Sequence, residues 1–250
     1  MKFRKKTYNP ENDRSLLSLE MSLEDGTPLM MFPADVIESL RHAISRLVSK
    51  KTLPARLSLV AALHQEGVTY LSRALALTLA NDLDTPVCAV ELNWWWPDKT
   101  IPLPVGSPGL AGVLSGEIKL KEAIVRTSQP NLSIIPAGKL AVPDRPTYAR
   151  STHLKEILYQ LNEQYEYLIL DVPAVSVTND SIPLASLGAA CCLVIHQGVT
   201  PIEKVKSALD EIDHQKFLGV ILNKTRVKTP SFLVNLIPQD FTAETSLVSG

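Results

Sequence analysis

After Pro54 the chain alternates short apolar runs with stretches of helical periodicity, and this alternation constrains the fold more than any other feature. The runs are Leu57–Leu63, Val87–Leu92, Leu132–Pro136, Tyr167–Val172, Ala189–His196 and Leu218–Leu222. They are short and continuously apolar, as strands buried on both faces are. Between them the spacing predicts helices over Thr69 to about Leu83, the Leu110–Ile124 region, His153–Tyr165, Asp180–Leu187 and Pro201–Ile212, the last with Thr200 placed to cap it. Val36, Ile37, Leu40, Ile44 and Leu47 predict one further helical face upstream. The expected class is therefore α/β, with a doubly wound, mostly parallel sheet whose ligands bind beyond the carboxyl ends of the strands.

Residues 1–34 show no sustained period and read as a flexible arm. Residues 35–238 read as one domain and 239–250, rich in Ser and Thr, as a flexible tail. The first six residues carry four bases, which fits a solvated tail or contact with an anionic membrane surface. A net charge of −1 gives no broad attraction for nucleic acid. No apolar stretch approaches the roughly 20 residues of a membrane span, and the polar start lacks a signal-type apolar core, so a cytoplasmic location is expected. Cys88, Cys191 and Cys192 fall in apolar runs without metal-type spacing and read as small core residues of a reducing compartment. His42, His64, His153, His196 and His214 are scattered, so no metal site or catalytic set is expected from them.

The first predicted strand runs into Ala62-Leu63-His64-Gln65-Glu66-Gly67-Val68-Thr69, in the frame of a phosphate-binding loop G-x-x-x-x-G-K-[ST]. Such a loop cradles phosphates with backbone N–H groups, a Lys and a hydroxyl that holds Mg²⁺. Ala62 stands at the first Gly, Gly67 at the second, Val68 at the Lys and Thr69 at the hydroxyl. An isopropyl group offers a polyphosphate neither charge nor a hydrogen bond. Removing one partner of a buried charge pair costs on the order of 2–5 kcal/mol. Lys51 and Arg73 could in principle substitute for that charge from elsewhere, but nothing in the sequence places either near the phosphates.

Several segments, taken in order, resemble the cytoplasmic tyrosine kinases of bacterial capsule and exopolysaccharide synthesis, relatives of the Min- and Par-type deviant Walker ATPases. Gln65-Glu66-Gly67-Val68-Thr69 followed by Ala74-Leu75-Ala76 is similar to the family's G-E-G-K-[ST]-x-x-x-x-N-L-A. Val87 to Pro97 is similar to its apolar strand, D-x-D and L-R-R-P. Gly109 to Glu117 resembles G-L-x-x-V-L-x-G-x, and Leu132 to Gly138 resembles a strand ending in P-A-G. Tyr167-Leu168-Ile169-Leu170-Asp171-Val172-Pro173 resembles Y-x-h-I-D-x-P, with h apolar, and Gly219 to Lys224 resembles G-V-V-L-N-[RK]. The likeness spans most of residues 35–225 and implies a P-loop NTPase-like fold, with Ala62–Thr69 joining the first strand to a helix and Asp171 and Asn223 lining one cleft.

The resemblance also implies roles, and the residues that depart from it are those that handle nucleotide. Glu91 and Asn93 stand where the family has its two Asp, a poorer metal site. Asp171 matches the metal-supporting carboxylate and Asn223 the adenine-recognising side chain, although a strand-end Asp and a loop Asn also have ordinary capping uses. Gly67, Val68, Thr69, Tyr70 and Asn223 would line a vestigial nucleotide cleft. Trp94, Trp95 and Trp96 replace the basic L-R-R-P region; at least one is expected to face outward as a partner anchor, with packing against Pro97 and the Pro102–Pro104 loop as the alternative. The family's interface motif E-x-x-R-x-x-R appears as Asp35, Glu38 and Arg41, which keeps one base for an interaction surface. No Tyr follows Tyr167, so the tyrosine cluster of the family's carboxyl tail has no counterpart in this sequence.

These implications give an expectation of a catalytically impaired binding or regulatory subunit in exopolysaccharide or cell-envelope synthesis, without a cofactor. Its expected partner is a protein, such as a membrane-embedded polysaccharide co-polymerase or synthase, with homo- or hetero-oligomers allowed and membrane association only through that partner. The first alternative is an active ATPase or tyrosine kinase with ATP and Mg²⁺, its phosphate cation supplied by Lys51, Lys224 or a partner. There Thr69 and Asp171 hold the metal and Glu91 acts as the base-like carboxylate. The second alternative is a Min- or Par-like positioning factor.

Overall fold

The computed structural model describes residues 18–97 and 108–225. The amino-terminal bases, the Pro102–Pro104 loop, the Phe232–Ile237 group and the 239–250 tail lie outside the described residues. A seven-stranded sheet organises the molecule, in the order β5-β6-β4-β7-β3-β8-β9. Its members are β3 (Arg56–Ala61), β4 (Val87–Glu91), β5 (Val125–Arg126), β6 (Leu132–Ile135), β7 (Tyr167–Asp171), β8 (Ala190–His196) and β9 (Phe217–Asn223). All neighbours pair in parallel except the short edge strand β5, which runs antiparallel to β6. The expected doubly wound, mostly parallel sheet is what the chain builds.

Two apolar layers cover the sheet. On one face, α1 (Ala34–Ser49) and α2 (Val68–Leu83) pack over Leu57, Leu59, Ala89, Ile134 and Ile169. On the other, α3 (Gly109–Leu114), α6 (Thr152–Asn162), α7 (Ser181–Ala185) and α8 (Ile202–Glu211) pack over Val60, Val90, Leu170 and Leu193. The two remaining short helices are α4 (Leu120–Ala123) and α5 (Arg145–Ala149). Among the described residues no helix is long and apolar enough to cross a membrane.

Two expectations need correction. Residues Leu19–Ser22 (β1) and Pro28–Phe32 (β2) form an antiparallel hairpin within the stretch read as a flexible arm. Met21 and Phe32 are buried in the α1–α2 layer, which ties the hairpin to the domain. Its turn uses Gly26 at φ 85° and an Asp25 carboxylate that accepts from Thr27 N at 2.9 Å. The Leu110–Ile124 helical region is also two helices. Gly116, at φ 77°, turns the chain, and the N–H groups of Glu117 and Ile118 bond back to Gly112 O instead of extending α3.

Candidate functional site

The six buried or half-buried residues of β3 leave the sheet at Ala61, and the loop through Gly67 turns directly into α2. The turn needs Gly67: its φ is 93°, and a Cβ there would lie 2.3 Å from Asn223 Nδ2. Gln65 is also left-handed, at φ 66°. Asn223, at the end of β9, donates from Nδ2 to Glu66 O at 2.7 Å and accepts from Lys224 N at 2.8 Å. Lys224 Nζ lies 3.5 Å from Gln65 O. The Glu66 side chain is buried and accepts from Leu63 N at 2.9 Å, from His196 N at 3.3 Å and from the Thr200 hydroxyl. Glu66 thus ties the loop to the end of β8, and Asn223 ties it to β9.

The first turn of α2 places the next group. Val68, at the Lys position, is half-buried and packs into the α1–α2 layer. Thr69 Oγ1 donates to Asp171 Oδ2 at 2.6 Å. Tyr70 turns away from the loop towards the hairpin, its ring 5.0 Å from that of Phe32. Partial burial, reinforced by the charge of Asp35, pushes the Tyr70 hydroxyl above its ordinary pKa. One turn later Arg73, almost fully buried, donates from Nη2 to Glu91 Oε1 at 2.5 Å. The second oxygen of Glu91 accepts from Ala137 N at 3.3 Å.

After β4 the chain turns tightly, and Asn93 Oδ1 accepts from Trp96 N at 3.1 Å, so this acceptor serves the turn. The tryptophans then part company. Trp94 is 1% exposed, in the core, and donates from Nε1 to Ala137 O at 3.0 Å. Trp95 is half-buried with the Arg145 guanidinium 5.6 Å from its ring. Trp96 is 47% exposed and stacks on His64 of the loop, with ring centroids 4.4 Å apart. Arg41 lies elsewhere, on α1, in a two-pronged pair with Asp82 of α2 at 2.7 and 3.0 Å.

Thr69, Asp171, Arg73 and Glu91 therefore form one cluster, Asn223 joins the loop, and Tyr70 and Arg41 stand apart from both. The sequence offers Arg73 only as a substitute phosphate cation, whereas its partner is Glu91, and it marks Glu66 only as a member of the loop motif. The signal for Arg73 was present: Leu71 to Ala80 are all buried, and an arginine inside such a helix requires a partner. Among the described residues no group of three or more His, Cys, Asp or Glu side chains is arranged to hold a metal. A cleft of about 480 Å³ lined by Cys191, Asp210, Ile212, His214 and Lys216 opens near the amino ends of β8 and β9, away from this cluster.

No family model matches the chain. A tyrosine-protein kinase, CpsD, of Streptococcus agalactiae is 29% identical over 127 residues, which is 50% of this chain and 55% of that protein. The chain thus spans about half the length of the curated relatives it matches first. A crystal structure of the VpsO kinase domain superposes with a TM-score of 0.68 at 25% identity, covering 76% of this chain and 95% of that one. The cell-division ATPase MinD of Pyrococcus furiosus superposes with a TM-score of 0.53 at 20% identity, covering 68% and 72%, and shares the fold.

Proposed function

We propose that this chain, which belongs to the bacterial capsule and exopolysaccharide tyrosine-kinase family, is a binding or regulatory subunit whose nucleotide chemistry is impaired. One observation carries the reading: at the position of the phosphate-binding lysine, Val68 packs into the core beside the loop. No cation on α2 then meets a polyphosphate at its first turn, and the anion loses the charge that makes an otherwise suitable backbone cradle favourable. Two further arrangements support it. The Asn223 amide is spent on the loop backbone, and Asn93 on its own turn. These side chains do not fit Mg²⁺-nucleotide, so no catalytic step is assigned to them.

Purified protein titrated calorimetrically with MgATP should bind with a Kd weaker than about 100 μM, or not at all. Low-micromolar binding overturns the reading. Val68→Lys alone should not restore hydrolysis, because Asn93 and Glu91 also depart from the family pattern.

The partner in this reading is a protein, a membrane-embedded polysaccharide co-polymerase or synthase, reached through the exposed Trp96. A second reading, an active ATPase, draws on Lys224, whose ammonium stands at the loop. It requires MgATP binding that Lys224→Ala abolishes.

A further inference from the structure

Thr69 and Arg73 are four residues apart on α2 and so share one helical face. Glu91 and Asp171 are register partners at the carboxyl ends of β4 and β7, so their side chains share one face of the sheet. The two pairs meet: hydroxyl on Asp171 and guanidinium on Glu91. Both carboxylates are 3% exposed. Two nearly dry carboxylates at adjacent strand ends repel unless a cation or a shared proton joins them. Paired carboxylates are also the ligand type that a divalent metal ion uses, completed by water or phosphate oxygens.

We propose that Arg73 is a resident cation that takes the place of a divalent metal at the Glu91–Asp171 pair and makes the folded domain indifferent to Mg²⁺. The inference rests on the impaired reading and gives it a cause besides Val68. A guanidinium only donates and stays charged at any accessible pH, so it is never itself a metal ligand and it repels a second cation brought to Glu91. Arg73 is itself 1% exposed and enclosed by the buried faces of α2, so displacing it means burying an unpaired charge or unpacking the helix. Arg73 Nη2 on one oxygen and Ala137 N on the other also hold the Glu91 carboxylate in one orientation. An acid so bound is not available as a general base.

The test measures thermal unfolding and Mn²⁺ binding, the latter by electron paramagnetic resonance, at matched ionic strength. The wild-type midpoint should not move with Mg²⁺ or Mn²⁺. Arg73→Ala should unfold at lower temperature, regain part of the loss in Mn²⁺, and bind Mn²⁺ about tenfold or more tighter than wild type. The gain should vanish in Arg73→Ala/Glu91→Gln. If Arg73→Ala does not fold alone, recovery of folded protein on dilution from denaturant into Mn²⁺ is the same readout, and failure with and without the metal overturns the proposal. Wild-type Mn²⁺ binding that Glu91→Gln removes also overturns it. The impaired reading stands or falls separately, on the MgATP titration of the wild-type protein.

Discussion

Gly67 concentrates the conformational demands of the loop on one residue. At φ 93° a side chain is strained, and its Cβ would meet the Asn223 amide 2.3 Å away. Gly67→Ala should destabilise the domain by about 1–3 kcal/mol in urea unfolding. Asn223→Ala in the same background should recover only part of this, because it relieves the clash and leaves the backbone strain. Full recovery would mean that contact alone makes Gly67 necessary. Trp96 is the second test at this scale, since it is exposed where Trp94 is buried. Trp96→Ala should leave the unfolding midpoint unchanged and weaken the partner complex by about 2 kcal/mol or more if it anchors that interface. An unchanged affinity returns Trp96 to a stacking role on His64. At this scale the sequence displayed what was missing, such as the Lys at Val68, better than what replaced it. Arg73 and Glu91 come together only when α2 lies across the end of β4, which no local pattern specifies.

The seam between α1 and α2 illustrates how elements are joined. Arg41 grips Asp82 through two hydrogen bonds at the surface, the side chains being 30% and 24% exposed. Burial raises the Asp82 pKa, but the hydrogen bonds from Arg41 and Asn81 outweigh it, so the carboxyl titrates below its ordinary value. A depressed carboxylate contributes stability above its unfolded pKa of about 3.9 and loses it as pH falls through the folded value. Asp82→Asn should therefore cost no more than about 1 kcal/mol at neutral pH and flatten the acid side of the stability profile. An unchanged acid limb would show that the pair adds nothing measurable. The main strands and long helices were legible because each carries its own period. The hairpin was not, because β1 and β2 are short and each buries a single residue, Met21 and Phe32. The Asp25-Gly26 pair in their turn was the available signal. The Leu110–Ile124 region kept its apolar spacing across a break, so periodicity joined two helices that Gly116 separates.

At the scale of the whole molecule, the sheet's two-sided burial reaches its cysteines. Burial pushes the Cys191 and Cys192 thiols to about 12 and the Cys88 thiol upward as well. Unfolded thiols ionise near 8.5 while the native ones stay protonated, so stability should fall as pH rises above about 8.5. Replacing Cys191 and Cys192 by Ala should soften that alkaline decline, and native protein should resist alkylation until it unfolds, as mass spectrometry can read. Alkylation of folded protein at neutral pH would contradict this burial. The sheet order has a further consequence, for synthesis. Strand β3 lies between β7 and β8, both of which follow it by more than a hundred residues. A ribosome adding about 5–20 residues per second leaves β3 without either neighbour for roughly 5–20 s. During that interval an interior strand of the sheet is an unpaired apolar edge, so β3 is the segment of the nascent chain that most needs shielding.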